Sequence, residues 1–387
     1  MMTPIKKQQS SVTQPLENAL TQSWGFRLFQ QICVQSTSDA NTFISPMSLQ
    51  IALGMSSHGA CGKTLKEINE FIGLHTVETP QRLQYFQDLL KIFSQTKNEA
   101  TLLLANSIWV RDAYPPKLKF KETVETVYQS EVKMFSPQNA AKAIQRINEW
   151  CAKKTNHKIS KILESIVEED VMFLLNALYF KAKWAHKFLE NKTQPQLFHG
   201  AGKEPYLVSM MQQKAQLNYF EDDTFQMVEF PYKDAHFSIV FLLPKTEMDA
   251  FLPSFHTENW SKWLSEMESE QVALELPKFK MEFSVDMIPP LKNLQLITPF
   301  DELKADFNKL CEMQRKRGNV FIAQITQKTC IEVTEEGTEA AAVTMIRTVS
   351  KSAKRTFIFK MNRPFLFVIK ENQKHRPIFM GKMMNIV

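Results

Sequence analysis

Residues 335–344 read Glu-Glu-Gly-Thr-Glu-Ala-Ala-Ala-Val-Thr. An acidic pair and a glycine lead into a run of small side chains, in a chain that holds only ten glycines. Gly337 opens backbone angles closed to other residues, and the alanines after it can enter a packed sheet without volume conflict. A basic segment follows, Arg347-Thr-Val-Ser-Lys351-Ser352-Ala-Lys354-Arg355, and then an apolar run of strand character. The composition is that of a loop built to become a strand. In an inserting strand, side chains alternate between faces. Thr338, Ala340, Ala342, Thr344, Ile346 and Thr348 then share one face, and Glu339, Ala341, Val343, Met345, Arg347 and Val349 the other. The first set is small apart from Ile346, and both charges fall in the second.

The rest of the chain bounds what such a loop could serve. Its 387 residues, 44% hydrophobic and 23% charged, suit a soluble globular protein with a large core. Twenty-nine Phe and nineteen Met make that interior adaptable. A net charge of +6 is far from a nucleic-acid signature. No apolar run approaches the ~20 residues of a membrane span. The N-terminal residues show no apolar stretch of signal-peptide type, and residues 1–19 read as a polar tail. Cys33, Cys61, Cys151, Cys311 and Cys330 are odd in number and widely spaced, which argues for free thiols rather than disulfides or zinc. That favours a reducing compartment, although Asn191-Lys-Thr193 and Asn259-Trp-Ser261 are glycosylation sequons.

Hydrophobic periodicity gives helices early and strands late. Leu20, Trp24, Leu28, Phe29 and Ile32 follow helical spacing, and further helical patterns cover 63–73, 81–94 and 140–154. Asn41-Thr-Phe-Ile-Ser45-Pro46 reads as a short strand entering a helix, with Ser45 at the cap and Pro46 in the first turn. Apolar runs of strand length occupy 101–110, 171–180, 237–243, 272–276 and 365–369. This order predicts an α+β fold rather than alternating βαβ units. No repeat or linker divides residues 20–387.

Enzyme motifs fail on inspection. Gly59-Ala-Cys-Gly62-Lys63-Thr64 ends like a phosphate-binding loop, but that motif needs glycine where Ser57 stands, and the segment before it reads as helix. A nucleophile elbow at Gly54-Met-Ser-Ser-His58 lacks its second glycine, and His58 reads as an exposed turn residue. The eight histidines show no metal-binding spacing, and Asp222-Asp223 and Glu168-Glu169-Asp170 read as solvated faces. No catalytic residue, metal or cofactor is expected.

Six motifs, in order, resemble the serpin family. They are Asn41-Thr-Phe-Ile-Ser45-Pro46-Met-Ser48; Ile147-Asn148-Glu-Trp150 with Thr155-Asn156; Leu175-Asn176-Ala177-Leu-Tyr179-Phe180-Lys181-Ala-Lys-Trp184; Leu276-Pro277-Lys278-Phe279; Phe359-Lys-Met-Asn362-Arg363-Pro364-Phe365; and Phe379-Met380-Gly381-Lys382. The resemblance covers nearly the whole chain from about residue 20. It implies a large central mixed β-sheet, two smaller sheets, about nine helices and an exposed reactive-centre loop at about 337–357. It implies that a protease attacks the loop as substrate, and that the cleaved loop then inserts into the central sheet and carries the acyl-enzyme with it.

Carried onto this sequence, the hinge is Glu335, Glu336, Gly337, Thr338, Glu339, Ala340, Ala341 and Ala342. A central shutter falls to Ser45, Ser48, Asn176 and Gln327, and the upper breach to Trp184. Seventeen residues from Glu335 end at Lys351-Ser352, the expected reactive bond; Lys354-Arg355 offers a second basic point. Lysine there suits a trypsin-like serine protease, the expected covalent partner of a monomeric inhibitor. No acidic residue occurs from Ala340 through Lys370, so the loop region is strongly positive. Alternatives within the family are a non-inhibitory chaperone, carrier or storage protein, or an inhibitor of cysteine proteases; the small hinge residues favour inhibition. The absent leader and odd cysteines point inside the cell, whereas many serpins act outside it. Departures from the family pattern are Gln327 in place of a common histidine, His157 and Gln295 in place of turn glycines, and Val343 where alanine is commoner.

Overall fold

A computed structural model describes residues 23–94, 100–311, 318–336 and 355–386. In chain order its strands are β1 (Thr42–Ile44), β2 (Ala100–Arg111), β3 (Glu131–Phe135), β4 (Met172–Ala182), β5 (Gln194–Phe198), β6 (Tyr206–Glu221) and β7 (Phe225–Pro231). There follow β8 (Phe237–Pro244), β9 (Glu268–Pro277), β10 (Phe279–Asp286), β11 (Gln324–Val333), β12 (Thr356–Lys360), β13 (Phe365–Glu371) and β14 (Arg376–Met383). Nine helices lie among the described residues. Six come early: α1 (Ser23–Gln35), α2 (Pro46–Ser57), α3 (Gly62–Phe71), α4 (Thr79–Ser94), α5 (Leu118–Val127) and α6 (Ala140–Lys154). The last three, α7 (Met248–Phe251), α8 (Thr257–Glu266) and α9 (Ile288–Asn293), are shorter.

The central sheet runs β10–β11–β4–β2–β3 and is mixed: β10·β11 and β2·β4 are antiparallel, β4·β11 and β2·β3 parallel. Strand β4 is buried along almost its whole length because both faces are covered. Phe173, Leu175, Ala177 and Tyr179 pack with Ile147, Trp150 and Cys151 of α6 in one cluster. Leu174, Leu178 and Phe180, one step out of phase, enter the main core. That is why the run reads as continuously apolar rather than alternating.

The other strands pair in the path β1–β14–β13–β8–β7–β6–β9–β12, with β5 also on β6. The two smaller sheets run into one another through β6. Its first residues pair with β5, its middle with β9 and its end with β7. In β14, Gly381 stands opposite Phe43 and Phe367, and a Cβ there would sit 2.1 Å from the Phe367 ring. Only glycine lets those rings close over the strand.

Most boundaries follow the sequence pattern to within a few residues. Ser45 caps α2 by accepting a hydrogen bond from Ser48 N, and Pro46 is its first residue. His58 departs from expectation. It is not an exposed turn residue: its Nε2 lies 2.9 Å from the Tyr128 hydroxyl. Burial, with Arg82 and Lys309 nearby, pushes its pKa down to about 4. The five cysteines are all free, and Cys61 alone is not fully buried.

Candidate functional site

The site lies where β4 and β11 run side by side. Their parallel register extends from Gln324 opposite Phe173 to Ile331 opposite Phe180. Asn176 faces Gln327 across this seam and faces Asn106 of β2 on its other side. Three amides therefore stand level on three neighbouring strands, all buried beneath the start of α2.

These amides form one hydrogen-bonded group with the helix cap. Gln327 Nε2 donates to Asn176 Oδ1 at 2.7 Å and to Ser45 O at 3.0 Å. In return Ser45 N donates to Gln327 Oε1 at 2.7 Å. Asn176 Nδ2 donates to Ser48 Oγ and to Asn106 Oδ1. Ser45 Oγ donates to Ile378 O at 2.7 Å, which ties the group to β14. Two rungs up β11, Thr329 Oγ1 donates to Phe43 O at 2.6 Å. Each bond spares a buried polar group the cost of going unpaired, about 1–3 kcal/mol. The group is thus a polar staple across the seam, and none of its members titrates near neutral pH.

Above the seam, the end of β11 is held by the chain that leaves β4. Trp184 Nε1 donates to Thr334 O at 2.8 Å, Trp184 N to Glu336 O at 3.2 Å, and Phe188 N to Glu335 O at 2.9 Å. The Trp184 indole stacks on Tyr232, with ring centroids 4.7 Å apart and planes 6° from parallel. Glu335 is buried, with one carboxylate oxygen accepting from Thr193 Oγ1 and the other 2.8 Å from Lys278 Nζ. Burial alone would raise its pKa; the bonds from Lys278 and Thr193 outweigh that and hold it below the ordinary 4.5.

The structure thus brings Ser45, Ser48, Asn176 and Gln327 together, and gathers Trp184, Glu335 and Glu336 at the upper end. The remaining residues of the expected hinge, Gly337 to Ala342, and the expected reactive bond Lys351-Ser352 lie outside the described residues. On the far side the chain re-enters at Arg355, whose guanidinium lies over the Phe357 ring, 4.7 Å from its centroid. Asn106, Thr193, Thr329 and Lys278 were not anticipated as partners. The one sequence signal for Asn106 is a polar pair, Asn106-Ser107, inside an otherwise apolar strand. His157 and Gln295 both adopt left-handed backbone, with φ of 58° and 71°. Among the described residues no cluster of His, Cys, Asp or Glu could hold a metal, and no helix is long and apolar enough to cross a membrane.

The family model described as "Serpin (serine protease inhibitor)" matches residues 19–386. The chain belongs to the serpin family. Human Serpin B8 is 31% identical over 361 residues, covering 91% of this chain and 95% of its own length. Tengpin, a thermophilic serpin solved in its native state, matches with TM-score 0.86 at 27% identity, over 99% of this chain and 97% of that one. Human thyroxine-binding globulin, solved with its hormone, gives TM-score 0.87 at 27% identity, over 97% of this chain and all of that one. Many serpins inhibit serine proteases, and the family also holds this hormone-bound member. What the loop does must therefore be argued from this chain.

Proposed function

We propose that this serpin traps trypsin-like serine proteases as covalent acyl-enzymes through cleavage at Lys351-Ser352. The observation that carries the reading is the parallel seam between β4 and β11, with β11 leading through Glu335 and Glu336 straight into the hinge. A chain that turns back at Gly337 would descend between the two strands, antiparallel to each. One parallel ladder would give way to two antiparallel ones, which are also slightly more stable per residue.

The reading implies a register for the inserted strand. With Thr338 opposite Val333, six residues further along each strand bring Thr344 opposite Gln327. Asn176 stands level with Gln327 on the other side. The Thr344 hydroxyl, one donor and two acceptor lone pairs, would replace the direct Gln327–Asn176 bond. Ser45, Ser48, Asn176 and Gln327 would then act as a shutter whose polar groups are satisfied both before and after insertion. Trp184 and Glu335 would guard the point where insertion begins.

In the reaction the protease serine attacks the Lys351 carbonyl, forming an ester to Lys351 as Ser352 leaves with a free amine. The Lys351 ammonium suits a primary pocket that ends in a carboxylate. Insertion then outruns hydrolysis of that ester. The test is a denaturing gel of the protein incubated with trypsin-like proteases at equimolar amounts. A covalent complex is expected; cleaved chain alone would overturn the proposal for those enzymes. Thr338→Arg puts a charge on the inward face, so it should give cleavage at Lys351 without complex.

A further inference from the structure

Arg376 opens β14 on the hairpin that follows β13, and its residue is only 9% exposed. Its Nε has no hydrogen-bond partner, and among the described residues no carboxylate lies within 4.0 Å of its guanidinium. A buried donor without a partner is costly, and the charges of Glu371 and Asp88 act on this cation without a direct ion pair. The hydrogen bonds its two acidic neighbours make go elsewhere. Asp88 of α4 accepts from Lys91 Nζ at 2.7 Å and Gln84 Nε2 at 2.9 Å. Glu371 accepts from the backbone N–H groups of Gln373 at 2.6 Å and Lys374 at 3.1 Å.

Arg376 lines a cleft of about 260 Å³ between α4 and the β13–β14 hairpin, shared with Asp88, Lys91, Phe237, Glu371 and Lys374. The cleft is slightly below the lower limit for a drug-sized ligand, about 300 Å³, and too small to enclose an extended polyanion. We infer that this cleft binds a small oxyanion, the carboxylate or phosphoryl group of a small molecule, held by the fork of Arg376 with Lys374 beside it. A guanidinium presents parallel donors that match either group in two bonds. The apolar wall at Phe237 leaves room for a short organic substituent. Because α4 supplies one side and the hairpin the other, the bound anion would fasten this helix to the β13–β14 hairpin of the second sheet.

The test titrates the full-length protein with inorganic phosphate, and separately with acetate, against chloride at constant ionic strength. Calorimetry and the shift in melting temperature are read together. Saturable binding of at least one anion is expected; preference for phosphate marks a phosphoryl ligand, preference for acetate a carboxylate. Arg376→Gln should weaken binding at least about ten-fold, the worth of a charge-assisted bond. Lys374→Gln should weaken it about three-fold and, being at the surface, should leave folding unchanged. Should Arg376→Gln not fold, Arg376→Lys keeps the charge without the fork and is expected to bind more weakly than the parent. Lack of saturable binding of either anion, or undiminished binding in the Arg376 and Lys374 variants, overturns the assignment.

Discussion

Replacing Ala177 and Lys328 by cysteine puts two thiols at directly opposed positions of β4 and β11. A disulfide between them fixes the Cα atoms at no more than about 6.8 Å. Neighbouring strands lie about 4.8 Å apart, so admitting a strand between these two requires about 9.6 Å. The locked seam falls short by roughly 3 Å, which no side-chain adjustment can supply. The native thiols on that face, Cys151 and Cys330, are poor competitors. Burial pushes their pKa values up to about 12 and about 11, so they stay protonated. The assay compares oxidised and reduced forms of the double variant with a trypsin-like protease, with the bond mapped by mass spectrometry. Oxidised protein should be cleaved at Lys351 and release active enzyme; reduction should restore the covalent complex. Undiminished complex formation by the oxidised form would refute insertion between β4 and β11.

Two further predictions concern stability. Gln295 closes α9 with φ of 71°, and its side chain is exposed, so Gln295→Gly should relieve about 1–2 kcal/mol of left-handed strain. Glycine's greater unfolded freedom returns about half of that, leaving a net gain of about 0.5–1 kcal/mol in urea unfolding; a loss would show that the turn is not strained. Glu335 has a depressed pKa, so its contribution is fully present above 4.5 and is lost as pH falls through its lower folded value. Glu335→Gln should therefore cost about 1 kcal/mol at pH 7, with the difference from the parent shrinking in acid. A gap that widened as the pH fell would contradict the bonding described.

How much of this was legible in the sequence depended on whether the deciding contact was local. Ser45 and Pro46 form a cap whose geometry is written in adjacent residues, and α2 begins where they place it. The runs at β4, β8 and β13 were readable because their apolar residues have no polar alternative. The amide row was only half readable, because register between β2 and β4 is a non-local property: Asn106 and Asn176 are seventy residues apart in the chain. The clamp on Glu335 draws Thr193 and Lys278 from two further segments, and no local pattern marks either one. The continuity of the two smaller sheets escaped for a different reason. One long β6, absent from the apolar runs of strand length, has three successive pairing partners. At His58 the neighbouring glycines suggest a solvent-exposed turn, whereas Tyr128 closes over it from elsewhere in the chain. Loop and seam illustrate both sides of this division. Alternation within 338–349 is local, and it says that the segment can become a strand. Where that strand would go depends on β4 and β11 being parallel neighbours, which only the assembled sheet supplies. If Thr338 pairs with Val333, the two facts agree in phase: the small face of the loop would then fall on the side of Gln327 and Asn176, both of which are buried.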